Sequence, residues 1–366
     1  MLMSRRDIDA LRMVCWCQCV DANDMLRVFT QTELNNLRYL RLIKRYARNG
    51  AYIATAVGLS FLRRALSDDL PDLTLSYHSQ AMLRRLRVSQ IVLTAYQAGI
   101  DPFITKTEEL TKEPAMFLSA ISRSRGSNPW GSTRVAALAH FGGQVFAFHY
   151  VCPEIGPLSL SDELMTFSNQ SVHLHGQQRG IVFAGASYGD VLAELQNLSD
   201  GGYSRLIGYG DAYSILQLPV YILSCDAVGA VQLRLMSLPD YRRRLTLAAL
   251  RDQFSPPPEE LPECDALFQG VPFLMAADMD LRRIDAALNK ARSFGTEKPV
   301  LAALEGQAEA VLYERYRDTG KARVFALTEE ALAAALGTGG LIYEPKSGPY
   351  LTRKGETIDA PPIKAG

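Results

Sequence analysis

The chain has 366 residues, 48% of them hydrophobic and 21% charged, with a formal net charge of zero. That length predicts two or three domains, and the composition is that of a globular protein rather than a disordered, collagenous or disulfide-stapled one. No apolar run is long enough to span a bilayer, and the acids within MLMSRRDIDALRM at the start exclude a secretion signal, so a cytoplasmic location with no membrane partner is expected.

The zero net charge is unevenly spread. Residues 1–90 hold 14 Lys and Arg against 8 Asp and Glu, and the remainder carries the compensating acidic excess. A basic N-terminal third is the electrostatic footprint of a DNA-binding module.

In chain order, 7–20 reads as a first helix with Ile8, Leu11, Val14, Cys15 and Cys19 as its buried stripe. Asp21 can cap a second helix over 22–29. Six cysteines are too few and too scattered for a disulfide scaffold. Cys15, Cys17 and Cys19 alternate along a helix and point in divergent directions, so they are expected as small apolar residues, not metal ligands. No cofactor and no metal are expected.

Thr30-Gln-Thr-Glu33 fits a capping box, in which the threonine hydroxyl and the glutamate carboxylate each satisfy an amide of the first turn. The helix it opens carries Leu34, Leu37, Tyr39 and Leu40 at mostly helical spacing, with Asn35, Asn36, Arg38 and Arg41 on the other face. Asn and Arg side chains make paired hydrogen bonds to adenine and guanine edges in a major groove. The pattern then switches to β-formers over 42–46 and 51–55. Arg48-Asn49-Gly50 lies between them, and Asn-Gly is a strong hairpin signal because both residues tolerate positive φ. Residues 57–66 return to helical spacing, with Leu59, Leu62 and Leu66 inward and Arg63 and Arg64 outward. This is the order of a winged helix-turn-helix. Asn35 and Asn36 are the base-reading candidates, Arg38 and Arg41 lie on the same helix face, and Lys44, Arg45 and Arg48 flank phosphates or the minor groove from the wing.

A polar break follows at 67–72, then a helix over 77–99. Arg84, Arg85 and Arg87 lie on its polar side, and it is expected to link domains or mediate dimerisation. A Gly/Ser/Pro loop over 123–131 marks a second boundary, and 133–140 and 144–150 read as a hairpin turning at Gly142-Gly143. Strands are expected at 181–184, 216–224, 271–277, 298–304 and 324–326. Helices are expected at 160–167, 188–198, 239–253 (with Arg242, Arg243 and Arg244 exposed), 279–294, from 305 to 316, and 329–336. Such alternation predicts an α/β layer domain. The expected organisation is therefore α+β and multidomain: 1–70 winged helix, 71–125 helical linker or dimerisation segment, 126–343 α/β domain, and 344–366 an irregular tail. No internal repeat is visible.

Motifs for phosphate-cradling loops, nucleophile elbows and zinc hydrolases are absent. His173-Leu-His175 would place two imidazoles on one side of a strand, without a third ligand at useful spacing. The best catalytic candidates are Asp278, after an apolar strand, and Glu305-Gly-Gln307 at the end of the next. They approximate the acid…E-x-K arrangement of nucleases, in which two carboxylates hold a divalent metal and a lysine positions the attacking water; here Gln307 stands in the lysine place. The simpler expectation is that acids at strand ends cap the following helices.

Three stretches, LNNLRYLRLIKRYARNGAYIATAVGLSFL, STRVAALAHFGGQVFAFHY and GVPFLMAADMDLRRI, give the chain a resemblance to the replication-relaxation family of mobile genetic elements in Gram-positive bacteria. The resemblance implies a winged helix joined to a degenerate, restriction-endonuclease-like α/β domain. It also implies a DNA-binding accessory or initiator-like role in plasmid replication, transfer or transcriptional control. Double-stranded DNA, a second copy of the chain and other proteins of the same element are the expected partners. Metal-dependent DNA nicking by the α/β domain is the enzymatic alternative, and a protein-interaction adaptor is the third reading.

Overall fold

The computed structural model describes residues 2–358 apart from 48, 66–78, 124–128, 199–204, 252, 294–296, 338–339, 346–347, 349, 353 and 355. It is a mixed helix-and-sheet protein with several sheets. Among the described residues no helix is long and apolar enough to cross a membrane.

The chain opens with β1 (Leu2–Met3) and α1 (Arg5–Cys17), which Ser4 and Asp7 cap reciprocally. Then come α2 (Ala22–Leu26), α3 (Gln31–Tyr39), the hairpin β2 (Ile43–Arg45) and β3 (Tyr52–Ala54), and α4 (Ala56–Ala65). Each lies where the periodicity places it, because each buries one stripe: Leu11, Val14, Met25, Leu34, Leu37 and Leu62 all belong to one core. The break expected at 67–72 lies outside the described residues.

Helix α5 (Ser79–Gln97) packs on α1 and carries the chain into a five-stranded sheet. The sheet consists of β4 (Ala115–Leu118), β5 (Ala137–Phe141), β6 (Gln144–Tyr150), β7 (Gln178–Gly185) and β8 (Val220–Ser224), in that order. Around it lie α6 (Ser119–Arg123), α7 (Leu160–Gln170), α8 (Tyr188–Gln196), α9 (Tyr209–Ile215) and α10 (Ala227–Met236). Strand β4 corrects the expected organisation. It falls inside the segment read as a helical linker, yet it pairs with β5, so one sheet straddles the boundary expected at residue 126.

Helix α11 (Tyr241–Leu250) leads into a second five-stranded sheet: β9 (Phe254–Ser255), β10 (Ala266–Phe268), β11 (Val271–Met275), β12 (Val300–Ala303) and β13 (Arg323–Ala326). Its crossovers are α12 (Leu281–Ala291) and α13 (Glu305–Gln307), the latter continuing as a π-helix through Arg317; α14 (Glu329–Leu336) follows β13.

The two sheets share one topology. In each, the first three strands form an antiparallel meander and the last three run parallel. In each, the meander turns through a two-residue loop with both φ positive: Gly142 (58°) and Gly143 (72°) in the first, Gln269 (51°) and Gly270 (81°) in the second. That is the signature of the type I′ turn, whose twist matches the flanking strands. In each, the helix before the first strand packs on the helix after the last, α5 on α10 and α11 on α14. The chain therefore contains an internal structural repeat, contrary to the expectation from sequence. The crossover sides of both units contribute to one core, in which Ile181, Phe183 and Ile222 join Leu274, Leu301 and Leu312.

The tail is not irregular throughout. Strands β14 (Tyr350–Thr352) and β15 (Thr357–Ile358) form a three-stranded antiparallel sheet with β1, pairing Leu2 with Thr352.

Candidate nucleic-acid interface

Helix α3 is held from both ends. At its start the Thr30 hydroxyl accepts from the Glu33 amide (3.3 Å) and the Glu33 carboxylate accepts from the Thr30 amide (2.7 Å). The other Glu33 oxygen accepts from Arg6 Nε on α1 (2.7 Å), and Arg6 also donates to the Val28 carbonyl (2.7 Å). Burial works against the Glu33 charge, but the Arg6 and Thr30 hydrogen bonds outweigh it and hold the carboxyl below its ordinary range. The one acid of α3 is therefore turned inward and occupied.

At its far end α3 closes with a Schellman arrangement. The Arg41 amide donates to the Arg38 carbonyl (2.9 Å), the Leu42 amide donates to the Leu37 carbonyl (2.9 Å), and Arg41 sits at φ 58°. Glycine is the usual residue in that left-handed position. Here an arginine takes it, which sets a cation at the negative end of the helix dipole.

The hairpin is fastened beside it. The Thr55 hydroxyl donates to the Arg41 carbonyl (2.6 Å) and accepts from the Gly58 amide (3.1 Å), tying the end of β3 to the turn after α3 and to the start of α4. Tyr52 and Val20 exchange backbone bonds (3.1 and 2.8 Å), anchoring β3 to the end of α1. At the turn Gly50 has φ 70°, and the Asn49 side-chain oxygen accepts from the Ala51 amide (3.1 Å).

Asn35, Arg38, Arg41, Lys44 and Arg45 are exposed and Asn36 is half-buried, while Leu34 and Leu37 face the core. The Arg45 guanidinium lies over the Tyr52 ring (5.4 Å). Among the described residues none of Arg38, Arg41, Lys44 and Arg45 pairs with a carboxylate. Arg48 lies outside the described residues. One expectation is corrected: Tyr39, grouped with the inward leucines, is 81% exposed beside Arg38. Gln31, which the sequence reading passed over, donates to Asn35 (3.0 Å) one turn earlier on this exposed face. The signal for both was present, since Gln31 and Asn35 are four apart and Tyr39 a further four.

No family model, curated protein or solved structure matches this chain.

The second set of candidates has a different geometry. Asp278 is fully buried, and its carboxylate is filled by protein groups: Tyr241 Oη (2.6 Å), Arg242 Nη2 (2.6 Å), Arg283 Nη2 (3.6 Å) and the Asp280 amide (3.1 Å). Burial alone would raise it; Arg283 and Arg242 outweigh burial and bring it down to about 2. Arg242, expected to be exposed, is drawn inward by this pairing. Gln307 is also fully buried, accepting from the Leu304 amide (3.1 Å) and donating to the Ala277 carbonyl (3.0 Å) and Tyr188 Oη (3.2 Å). Glu305 is exposed. The three residues thus do not converge on an open site, as an acid…E-x-K centre requires. His173 and His175 lie in and just after a 3-10 turn, Val172–Leu174, and no strand aligns their rings. Among the described residues no group of three or more His, Cys, Asp or Glu side chains is placed to hold a metal ion. Cys15, Cys17 and Cys19 are all buried.

Proposed function

We propose that the protein binds double-stranded DNA through a winged helix-turn-helix formed by its first 65 residues. In this reading α3 enters the major groove. Asn35 and Asn36 read base edges, Arg38 and Arg41 contact guanine or phosphate, and Lys44 and Arg45 lie along the adjacent backbone from the β2–β3 wing. The observation that carries the reading is the conjunction of two things on one surface. Among the described residues four cations without carboxylate partners stand exposed, and the helix and hairpin that bear them are tied together where the Thr55 hydroxyl meets the Arg41 turn. Solvated arginines on an ordinary surface need no such rigid mounting, whereas groove recognition does.

Such binding would serve plasmid replication, transfer or transcriptional control, the role implied by the resemblance of this stretch to the replication-relaxation family. The reading favours a binding protein over a nicking enzyme, because Asp278 and Gln307 are committed to internal partners.

Fluorescence anisotropy with labelled duplexes tests it. Wild type should bind with an affinity that falls with salt at a log–log slope of about −3 to −4, for four phosphate-range cations. The Arg38→Glu, Arg41→Glu double variant should lose at least roughly tenfold. Equal binding by the two proteins removes α3 as the reading element.

A further inference from the structure

The repeated topology assigns each residue of one unit a counterpart in the other. Counting from the two type I′ loops, Phe146 on β6 corresponds to Phe273 on β11. Phe146 pairs with Gly180 and Phe273 with Val300; Ile181 then pairs with Val220, and Leu301 with Val324. One residue further, Tyr221 on β8 corresponds to Phe325 on β13. Both strands lie at the end of their sheets.

Their surroundings differ. Tyr221 is 3% exposed, packed edge-on against Phe146 at 5.6 Å. The second unit covers that edge: the Ile222 amide donates to the Met279 carbonyl (3.3 Å), α12 packs on β8, and the charges of Asp278 and Arg242 act on the Tyr221 hydroxyl. Among the described residues no strand pairs with the outer side of β13. Phe325 is 51% exposed and Leu247 on α11 is 46% exposed. Both line a groove of about 730 Å³ with Phe273, Val300, Leu327 and Ala331. An uncovered edge strand beside an apolar face is a pairing template that soluble proteins normally cover or charge.

We propose that this edge is where two copies of the chain meet, with β13 of each aligned antiparallel about a twofold axis and Phe325 of each seated in the groove of the other. Pairing about a twofold axis makes the contact self-complementary and closed, so it ends at two copies. Charge fits the same arrangement. Arg323 opens β13 and Glu329 opens α14, both exposed and neither paired among the described residues. Antiparallel alignment of β13 carries Arg323 of one copy toward Glu329 of the other.

The test is light scattering and sedimentation of the full chain over roughly a hundredfold range of concentration, since a dimer dissociates by mass action. Wild type should be dimeric at the upper end. Phe325→Glu should be monomeric with an unchanged circular dichroism spectrum, as expected for a half-exposed side chain. Arg323→Glu and Glu329→Arg should each weaken the dimer roughly tenfold or more, and the double variant should recover it. A monomeric wild type overturns the proposal, whatever else the groove binds, and so does a dimer that Phe325→Glu leaves intact. If Phe325→Glu fails to fold, the charge-swap series decides alone, and absence of recovery overturns it.

Discussion

A β-carbon on Gly58 would collide with the backbone oxygen of Leu42. The first turn of α4 therefore lies directly on the turn that joins α3 to β2, and only glycine permits that approach. Since neither partner is a side-chain end that can swing away, Gly58→Ala should force the helix and the turn apart. The expected cost is about 1 to 3 kcal/mol of stability, the usual range for overpacking. Duplex binding should weaken as well, because the wing moves relative to α3. Chemical denaturation and anisotropy on the same preparation check both.

Arg41 allows fold and function to be separated. Its left-handed conformation costs a non-glycine residue on the order of 1 kcal/mol, while its side chain makes no ion pair among the described residues. Arg41→Gly should leave stability unchanged or raise it by up to about 1 kcal/mol, after allowance for the freer unfolded chain. On the proposed reading it should also lower duplex affinity and reduce the salt slope by about one. A variant that is stable and still binds fully would take Arg41 out of the interface.

Asp278 and Glu305 should part company. Asp278→Asn strips the charge from a fully buried site that holds Arg242 and Arg283, and breaking a buried pair in this way costs roughly 3 to 5 kcal/mol. Glu305→Gln on the surface should stay within about 0.5 kcal/mol. The nuclease alternative expects instead that each abolishes Mg²⁺-dependent nicking of supercoiled plasmid at little cost in stability. Denaturation curves beside a nicking assay distinguish the two.

Glu163 on α7 predicts a pH dependence. It accepts from the Arg134 and Val135 amides (2.6 and 3.2 Å) and lies 3.9 Å from His149, with Arg84 and Tyr209 also acting around it. Burial pushes its carboxyl up to about 7 despite those amides and despite Arg84 and Arg134. Burial, aided by Arg84, also pushes His149 down to about 3, so at neutral pH the two do not form an ion pair. A carboxyl raised on folding binds its proton more tightly in the native state. Its contribution is full below its unfolded range, near 4 to 4.5, and is lost as pH rises through about 7. Wild type should therefore lose stability relative to Glu163→Gln between about pH 4.5 and 7, by on the order of 3 kcal/mol. His149, lowered on folding, tilts both proteins the opposite way and cancels in the difference. Parallel pH-dependent profiles for the two would refute the assignment.

The sequence carried the N-terminal third closely, since its signals are local. A capping box at Thr30, an Asn-Gly turn and a switch from helical to alternating spacing each depend on residues within a few positions, and each formed as read. The same locality failed at Tyr39, where spacing alone suggested burial and the helix ends before anything covers the ring. It failed again at β9 and β10, two and three residues long, whose pairing is set by β11 and leaves almost no alternation to read. The structural repeat was hidden for that reason, and also because its matching helices differ in length, 19 residues for α5 and 10 for α11. The fate of Asp278 was decided by the nearby Arg283 together with Arg242, 36 positions away, and no window along the chain links Arg242 to it.

The pairing of Leu2 with Thr352 has a consequence for how the molecule is made. A ribosome releases the opening strand long before its mate exists, so that strand must wait through nearly the whole of translation with its hydrogen bonds in water. Loop closure over such a span is slow and late. A nascent chain stalled short of β14 would therefore hold its first strand without this partner.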